Sequence, residues 1–369
     1  MANTELFEER KTRVAKAVAL ERPDRVPVVL EMAAFAAKVE GMTISKFISS
    51  SLIMAEAMIN AVEKVGGADG VDYPSTNPLL LSLAWLSRAK LPGVHLPDDV
   101  IWQMDEAELM KREDYDRIAA EGWPKFFSSF VQEHFGDDIL QKVAAGGQLM
   151  PQVLEMWRAK DIPVLRSASV SIPFESFCGG RSYTKFVRDL FQIPDRVQAA
   201  MDAALPFMVG QKCEATKQQG LSYIWVGGWR SASAMLSKSL WDRFVFPYFN
   251  KVINEVIDAG IHPILHFDSD WTRDLERFKV FPKGKCIFSV DGMTDIFKAK
   301  EILGDTMCIM GDVPASLLSL GTPDEVYKYC RKLIDELGQE GFILHPGCDI
   351  PMDAKIENVQ AMVSAATGK

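Results

Sequence analysis

Four short apolar segments set the pattern of the C-terminal half: residues 262–267 read HPILHF, 286–290 read CIFSV, 306–311 read TMCIMG and 341–345 read GFILH. Apolar runs of this length, bounded by Gly, Pro and Asp, are typical of buried strands. Residues 294–303 and 323–337 lie between them and carry apolar side chains at every third or fourth position, as amphipathic helices do. Strands that alternate with helices predict a parallel sheet.

The same pattern extends toward the N-terminus. Four earlier segments also read as strands, namely Val26–Glu31, Gly70–Tyr73, Val164–Val170 and Ser222–Gly227. Eight strands alternating with helices, such as Leu240–Ala259, predict an α/β fold closed as a (β/α)8 TIM barrel. The interval of about residues 74–162, between strands two and three, is too long for one crossover. It contains the helical segments Leu80–Ala89, Glu106–Ile118 and Ile139–Lys160, and predicts an inserted helical layer. No repeat or low-complexity linker interrupts residues 1–369, which favours a single domain.

Composition excludes several functions. The 369 residues carry 41 basic and 50 acidic side chains, a formal charge of −9, without a basic stripe, so nucleic acid is not an expected partner. Six cysteines without a CxxC pair indicate a reducing compartment rather than a disulfide framework. The polar segment Met1–Arg13 does not resemble a signal peptide, and no apolar run is long enough to span a bilayer. We expect a soluble cytoplasmic protein with no membrane association.

Polar residues directly follow the predicted strands. In a (β/α)8 barrel the active-site residues lie at the carboxyl-terminal ends of the strands, so these polar residues are the candidates for a functional site. His266 and Asp268 alternate by two and therefore share one side of strand five. Cys348 follows strand eight in a turn shaped by Pro346 and Gly347. Imidazole, carboxylate and thiolate all bind Zn²⁺, so these three side chains form a candidate zinc site. From spacing alone, a buried cysteine and a hydrogen-bonded histidine remain the alternative.

Six segments resemble the uroporphyrinogen decarboxylase superfamily, and within it the zinc-dependent, corrinoid-linked methyltransferases. They are Glu21–Val28, Phe174–Arg181, Ile264–Asp268, Phe288–Asp291, Met310–Pro314 and His345–Lys355. The resemblance implies a (β/α)8 barrel. It also implies zinc, which the methylcobamide:thiol methyltransferases bind through an HxC on strand five and a GC turn near the C-terminus. His266 and Cys348 match these motifs, whereas Asp268 stands where the family has a cysteine.

The resemblance implies a methyltransferase, and the exchange of cysteine for aspartate points to its substrate. A carboxylate leaves more positive charge on the metal than a thiolate does, which suits an ether oxygen better than a thiol. We therefore predict the zinc-dependent component of a corrinoid-dependent demethylase, which moves a methyl group from a methoxylated aromatic to Co(I). No DxHxxG loop is present, so the corrinoid (cobalamin) must arrive on a partner protein. Whether the chain forms a homodimer is left open.

Three alternatives stay open. One is a methylcobamide-dependent thiol methyltransferase, and another is a barrel that has lost its metal and its catalytic role. The third is a decarboxylase of the uroporphyrinogen type, although residues 30–35 read LEMAAF and lack the arginines that would bind a polycarboxylate.

Further residues complete the predicted site. Trp225 and Trp229 are expected to line the cofactor and substrate slot, because aromatic side chains suit a flat ring or the flank of a corrin. His345 is expected to act in catalysis beside Asp268 or to orient a ligand. The fourth metal ligand remains open between Glu31, Glu175 and Cys308. Cys308 lies inside its predicted strand, four positions before Asp312, and is expected to be too deep in the barrel to reach the metal.

Overall fold

The computed structural model describes residues 4–136 and 138–368; residues 1–3 of the predicted Met1–Arg13 segment lie outside the described residues. Ten strands are present in the described part of the chain. They are β1 (Val29–Leu30), β2 (Gly70–Val71), β3 (Ala89–Lys90), β4 (Gln103–Met104), β5 (Ser169–Val170), β6 (Tyr223–Gly228), β7 (His262–Phe267), β8 (Ile287–Val290), β9 (Cys308–Val313) and β10 (Phe342–Pro346). All except β3 and β4 coincide with the eight predicted strands.

Helices connect the strands and cover the sheet. They are α1 (Thr4–Val18), α2 (Ala34–Val39), α3 (Ile44–Phe47), α4 (Ser51–Lys64), α5 (Pro78–Trp85), α6 (Glu113–Glu121), α7 (Trp123–Phe135), α8 (Ile139–Gln148), α9 (Met150–Arg158), α10 (Pro173–Arg181), α11 (Tyr183–Gln192), α12 (Pro194–Ala204), α13 (Gly210–Gln218), α14 (Lys238–Phe244), α15 (Phe246–Asp258), α16 (Ile296–Leu303), α17 (Ala315–Leu320), α18 (Pro323–Leu337) and α19 (Ile356–Thr367). Short 3₁₀ segments occur at Leu205–Phe207, Ser233–Met235 and Thr272–Val280. None of the helices in the described ranges is both long enough and apolar enough to cross a membrane.

The parallel strands form a ring. Six of them run in the order β5-β6-β7-β8-β9-β10, and β1 pairs with β2. Two parallel bridges join these sheets, Val28 with Leu344 on one side and Val71 with Val164 on the other. The predicted barrel is therefore confirmed, with the third strand reduced to a bridge at Val164 and the short β5.

The inside of the barrel explains where the polar residues lie. Ile264 of β7, Ile287 of β8 and Ile343 of β10 belong to a small apolar cluster that α1 closes from below. Because strand side chains repeat every two residues, His266, Ser289 and His345 lie one layer above these isoleucines, toward the carboxyl ends of the strands. Cys308 belongs to the apolar cluster and is fully buried. It lies too deep for the mouth.

Several predicted helices needed correction: Ile139–Lys160 is two helices, α8 and α9, Leu80–Ala89 ends at Trp85, and Glu106–Ile118 begins at Glu113. The predicted helix Leu240–Ala259 is two helices, α14 and α15, because Pro247 in the first turn of α15 cannot supply an N–H to continue α14. The insertion between β2 and β5 contains five helices, α5 to α9, and an antiparallel pair, β3 with β4, that was not predicted. Ala89–Lys90 and Gln103–Met104 are mixed in polarity and partly exposed, so they lack the apolar run by which the other short strands were predicted. The assignment of residues 1–369 to one domain stays a prediction.

Candidate metal centre

Three side chains meet at the carboxyl end of the barrel. His266, Asp268 and Cys348 each offer one ligand atom, and these atoms all lie within 4.8 Å of one another. His266 Nε2 lies 3.4 Å from Asp268 Oδ1. The structure thus brings together the three residues that the sequence proposed as metal ligands, although 80 positions separate Asp268 from Cys348.

His266 is oriented for a ligand. Its ring is buried, and Nδ1 lies 3.0 Å from the hydroxyl oxygen of Ser289 on the neighbouring strand. Nε2 faces the other two donors and is buried without a hydrogen-bond partner. Burial lowers the pKa of His266, but Asp268 and Cys348 outweigh it and hold that pKa well above its usual range. An imidazole in this setting attracts either a proton or a cation.

The turn after β10 presents Cys348. At Gly347 an added Cβ would lie 2.6 Å from the carbonyl oxygen of Asp291, so a side chain cannot be accommodated there. This close approach brings the exposed Cys348 over the mouth of the barrel. Desolvation of its sulfur atom raises the pKa of the Cys348 thiol to about 11, although the hydrogen bond with His266 opposes the shift. A bound cation would favour the thiolate.

The loop after β7 places Asp268. The indole Nε1 of Trp271 donates to the backbone carbonyl of Asp268 at 2.7 Å. The backbone N–H of Ser269, whose φ is 71°, donates to Asp291 Oδ2 at 2.8 Å. Asp291 therefore fixes the loop. The side chain of Asp268 is partly exposed to solvent, and its Oδ1 faces His266 Nε2.

This donor set fits Zn²⁺. It supplies one imidazole nitrogen, one carboxylate oxygen and one thiol sulfur, all of which are common zinc ligands. The buried, unpartnered Nε2 of His266 is the atom that such an ion would satisfy. Three protein ligands match the usual composition of catalytic zinc sites, which keep one position open.

A second polar group lies beside the three donors. Arg166 Nε donates to Asp72 Oδ2 at 2.7 Å, and Nη2 lies 3.5 Å from Glu31 Oε1. The hydroxyl of Tyr73 donates to Asp349, the residue after Cys348. We call these five residues the mouth cluster. Of these five residues only Glu31 was predicted as a site residue, although the arginine inside the predicted strand Val164–Val170 was a usable signal.

Glu31 and His345 connect the mouth cluster to the metal ligands. His345 Nε2 lies 3.7 Å from Glu31 Oε2, and both nitrogens of its fully buried ring lack a hydrogen-bond partner. Burial lowers the pKa of His345 to about 4, so its ring is neutral near pH 7. Burial, followed by the charges of Asp72 and Asp349, raises the pKa of Glu31 to about 8. Of Glu31, Glu175 and Cys308, the three candidates for the fourth metal ligand, Glu31 is the one that lies beside the mouth cluster and His345.

The other proposed ligands have different surroundings. Glu175 accepts hydrogen bonds from the backbone N–H groups of Trp229 and Ser231 and from the Ser231 hydroxyl. Its carboxylate therefore holds the turn after β6. Cys308 lies in the apolar cluster below the mouth.

The two predicted slot residues lie in different places. The Trp225 ring centroid is 6.0 Å from that of His266, and its indole covers Gly227, where a Cβ would fall 1.7 Å from the ring. Trp229 instead packs edge-on against Trp85 of the insertion, with centroids 3.9 Å apart. Trp225 borders the three donors directly. Trp229 belongs to the surrounding rim.

Known proteins resemble this chain in sequence and in fold. The uroporphyrinogen decarboxylase (URO-D) family matches residues 168–368, which include β5 to β10 and all three donors. The chain belongs to the uroporphyrinogen decarboxylase family. One similar solved structure is a methyltransferase from Methanosarcina mazei, with a TM-score of 0.73 and 18% identity over 96% of this chain and 97% of that chain. This likeness supports the URO-D-type barrel fold.

Curated relatives of the URO-D chain include two kinds of enzyme. A uroporphyrinogen decarboxylase from Syntrophotalea carbinolica is 27% identical over 50% of this chain and 52% of its own length. The methylcobamide:CoM methyltransferase MtbA from Methanosarcina acetivorans is 23% identical over 58% of this chain and 61% of its own length. The chain thus spans about half to two thirds of the length of the curated relatives it matches.

Replacing Ser289 with alanine is expected to weaken metal binding. The hydroxyl contacts His266 Nδ1 and fixes which nitrogen faces the other donors, and loss of such an outer partner typically costs about 10–100-fold in affinity. Competition with a chelating dye would measure the change. Ser176→Ala, which removes a hydroxyl bonded to Ala84 elsewhere, is the control and should keep the affinity of the unaltered protein. Equal affinities for both variants would contradict the orienting role.

Proposed function

We propose that this chain is the zinc-dependent methyltransferase component of a corrinoid-dependent demethylase. It would take a methyl group from a methoxylated aromatic and deliver it to Co(I) of a separate corrinoid protein. The meeting of His266, Asp268 and Cys348 at the barrel mouth is the observation that carries the proposal. The similarity to a methylcobamide:CoM methyltransferase supports it.

His266, Asp268 and Cys348 would hold the zinc ion, and Ser289 would orient His266. When bound, the ion supplies a Lewis acid for the ether oxygen of the donor. Asp268 sets its strength, because a carboxylate donates less electron density than a thiolate and leaves more positive charge on the metal. A site with one thiolate therefore suits an oxygen-bound methyl group better than a sulfur substrate.

Aromatic side chains would hold the donor beside this position. The indole of Trp225 borders His266 and is partly exposed, and it offers an apolar surface to a flat ring. Trp229 and Trp85 form the adjoining rim. The neutral ring of His345 and the carboxyl group of Glu31 would complete the polar side of the pocket and move or hold a proton for the leaving oxygen.

Two other activities are weaker candidates. Thiol methylation is favoured by the similarity to a methylcobamide:CoM methyltransferase, but Asp268 replaces a second thiolate. Decarboxylation of a polycarboxylate is favoured by relatives such as the enzyme of Syntrophotalea carbinolica. It would need cationic groups for the substrate's carboxylates, and Arg166 is already paired with Asp72.

A methyl-transfer assay tests the proposal. Zinc-loaded protein would be mixed with Co(I) cobalamin and a panel of methoxyaromatics, methylamines and methylated thiols, and formation of methylcobalamin would be followed by its absorbance. We expect turnover with the methoxyaromatics and none in the metal-free protein. Transfer only between methylcobalamin and thiols would support the thiol methyltransferase instead. A protein that binds no zinc and transfers no methyl group would indicate a non-catalytic barrel.

Asp268→Cys is expected to separate the two methyltransferase activities. A second thiolate should bind zinc more tightly and make it a weaker Lewis acid, so ether cleavage should slow by about tenfold or more. Zinc affinity and the rate of methylcobalamin formation would be measured on the same preparation. Asp270→Asn, in the same loop, is the control. Unchanged ether turnover in a protein with tighter zinc would refute the Lewis-acidity argument.

A further inference from the structure

Tyr73 joins the end of β2 to the turn that carries Cys348. Its hydroxyl donates to the carboxylate of Asp349, the residue after Cys348, across 276 positions of the sequence. In the ring β1 lies between β2 and β10, so this hydrogen bond spans the carboxyl end of β1. The side chain of Tyr73 is 7% exposed, and Asp349 supplies the partner that the hydroxyl of a buried tyrosine needs.

The tip of the turn has few other anchors. The backbone N–H groups of Gly347 and Ile350 donate to carbonyls at the carboxyl ends of β9 and β1, each at 2.9 Å. Between these two points, the backbones of Cys348 and Asp349 make no hydrogen bond with any other described residue. The Tyr73 hydroxyl is therefore the hydrogen-bond donor that fixes the tip of the turn beside the sulfur atom.

Tyr73 is itself held in place. The guanidinium of Arg166 lies 5.1 Å from the centroid of its ring. Arg166 in turn donates to Asp72 at 2.7 Å and to the hydroxyl of Ser169 at 3.1 Å, so its own position is fixed. A ring packed in this way keeps its hydroxyl in one place, and the hydrogen bond to Asp349 passes that constraint on to the turn.

We infer that Tyr73 is a positioning residue of the metal centre: its hydroxyl, acting through Asp349, keeps the sulfur of Cys348 within reach of the other two donors. The inference rests on the proposed function, because it concerns the zinc ion of that function. Without the hydroxyl the tip of the turn loses its hydrogen bond, and the sulfur is no longer held in the geometry that binds the ion. Loss of an outer partner of this kind typically costs about 10–100-fold in metal affinity.

Tyr73→Phe tests the inference, because it removes the hydroxyl and keeps the ring. We expect zinc, measured by competition with a chelating dye, to bind about tenfold more weakly. The thiolate-to-metal charge-transfer absorption of the cobalt(II)-loaded protein, which reports the bond between Cys348 and the metal, should also weaken. Tyr248→Phe is the matched control: it removes the hydroxyl of another buried tyrosine, which donates to Asp202 at 2.8 Å between α15 and α12, and it should change neither quantity. Unchanged zinc affinity in a folded Tyr73→Phe protein would overturn the inference.

A double-mutant cycle shows whether Tyr73 acts through Asp349. In an Asp349→Ala protein the acceptor is already gone, so adding Tyr73→Phe should weaken zinc binding by less than about twofold. The same tenfold loss in both backgrounds would overturn the inference. Asp349→Asn keeps an acceptor oxygen and should bind zinc more tightly than Asp349→Ala. Equal affinities of these two variants would overturn the inference even if Tyr73→Phe does not fold.

Methyl transfer separates this inference from the proposed function. Zinc affinity that depends on Tyr73, in a protein that transfers no methyl group to Co(I), would refute the proposed function alone. Methyl transfer by a protein whose zinc affinity is the same with and without the Tyr73 hydroxyl would refute the inference alone. A protein that binds no zinc would overturn both.

Discussion

Replacing Cys348 with alanine is expected to abolish zinc binding and to reduce methyl transfer by about 1,000-fold or more. The thiol is the single sulfur among the three donors and the only one contributed by the turn after β10. A bound Lewis acid supplies several kcal/mol of transition-state stabilisation, and each 1.36 kcal/mol corresponds to about tenfold in rate. Metal analysis and the methylcobalamin assay would measure both effects.

The fold of the Cys348→Ala protein should be nearly unchanged. Cys348 is exposed, and the apolar cluster that fills the barrel lies below it. Cys213→Ala removes a buried thiol outside the mouth and is the control, which should retain zinc and activity. Global unfolding of Cys348→Ala, seen as loss of the thermal transition, would show that Cys348 is structural and would contradict its role as a ligand.

Replacing Arg166 with methionine is expected to destabilise the protein by about 3–5 kcal/mol. Asp72 is 1% exposed and accepts the hydrogen bond of Arg166 Nε, so the loss of this partner leaves its carboxylate buried without compensation. The free energy of unfolding in urea would measure the effect. The same change should also disturb the mouth, because Arg166 lies between the rings of Tyr73 and Trp225.

A surface pair provides the control for Arg166→Met. Arg196 and Asp116 form an ion pair with side chains that are 40% and 62% exposed, and exposed pairs of this kind contribute about 0–1 kcal/mol. Arg196→Met should therefore change the unfolding free energy little. Similar small losses in both variants would mean that the mouth cluster tolerates an unpaired carboxylate, which would contradict the electrostatic account of the mouth.

The barrel could be predicted because its strands are buried on both sides. Runs such as His262–Phe267 and Phe342–Pro346 are almost wholly buried and mostly apolar, and amphipathic helices separate such runs. The pair β3 and β4 could not be predicted, because both strands are partly exposed, contain a polar residue and lie outside any apolar run. The break between α14 and α15 was readable in principle from Pro247, which falls inside an otherwise continuous helical pattern.

The three donors were accessible from sequence for a different reason. The strand period placed His266 and Asp268 on one side, and the family resemblance linked both to Cys348. The mouth cluster as a group could not be predicted, although Glu31 was a candidate ligand, because Glu31, Asp72, Arg166 and Asp349 come from four distant parts of the chain. Only the closure of the ring, through the bridges at Val28 and Val71, brings these parts together.

X-ray absorption at the zinc edge of the purified protein tests the central claim most directly, because it reports both the metal and its ligands. A site formed by His266, Asp268 and Cys348 predicts about one zinc per chain, with one sulfur at about 2.3 Å and nitrogen or oxygen ligands at about 2.0–2.2 Å. The sulfur contribution should disappear in Cys348→Ser. Zinc with two sulfur ligands, or a protein that binds no zinc after loading, would contradict the account.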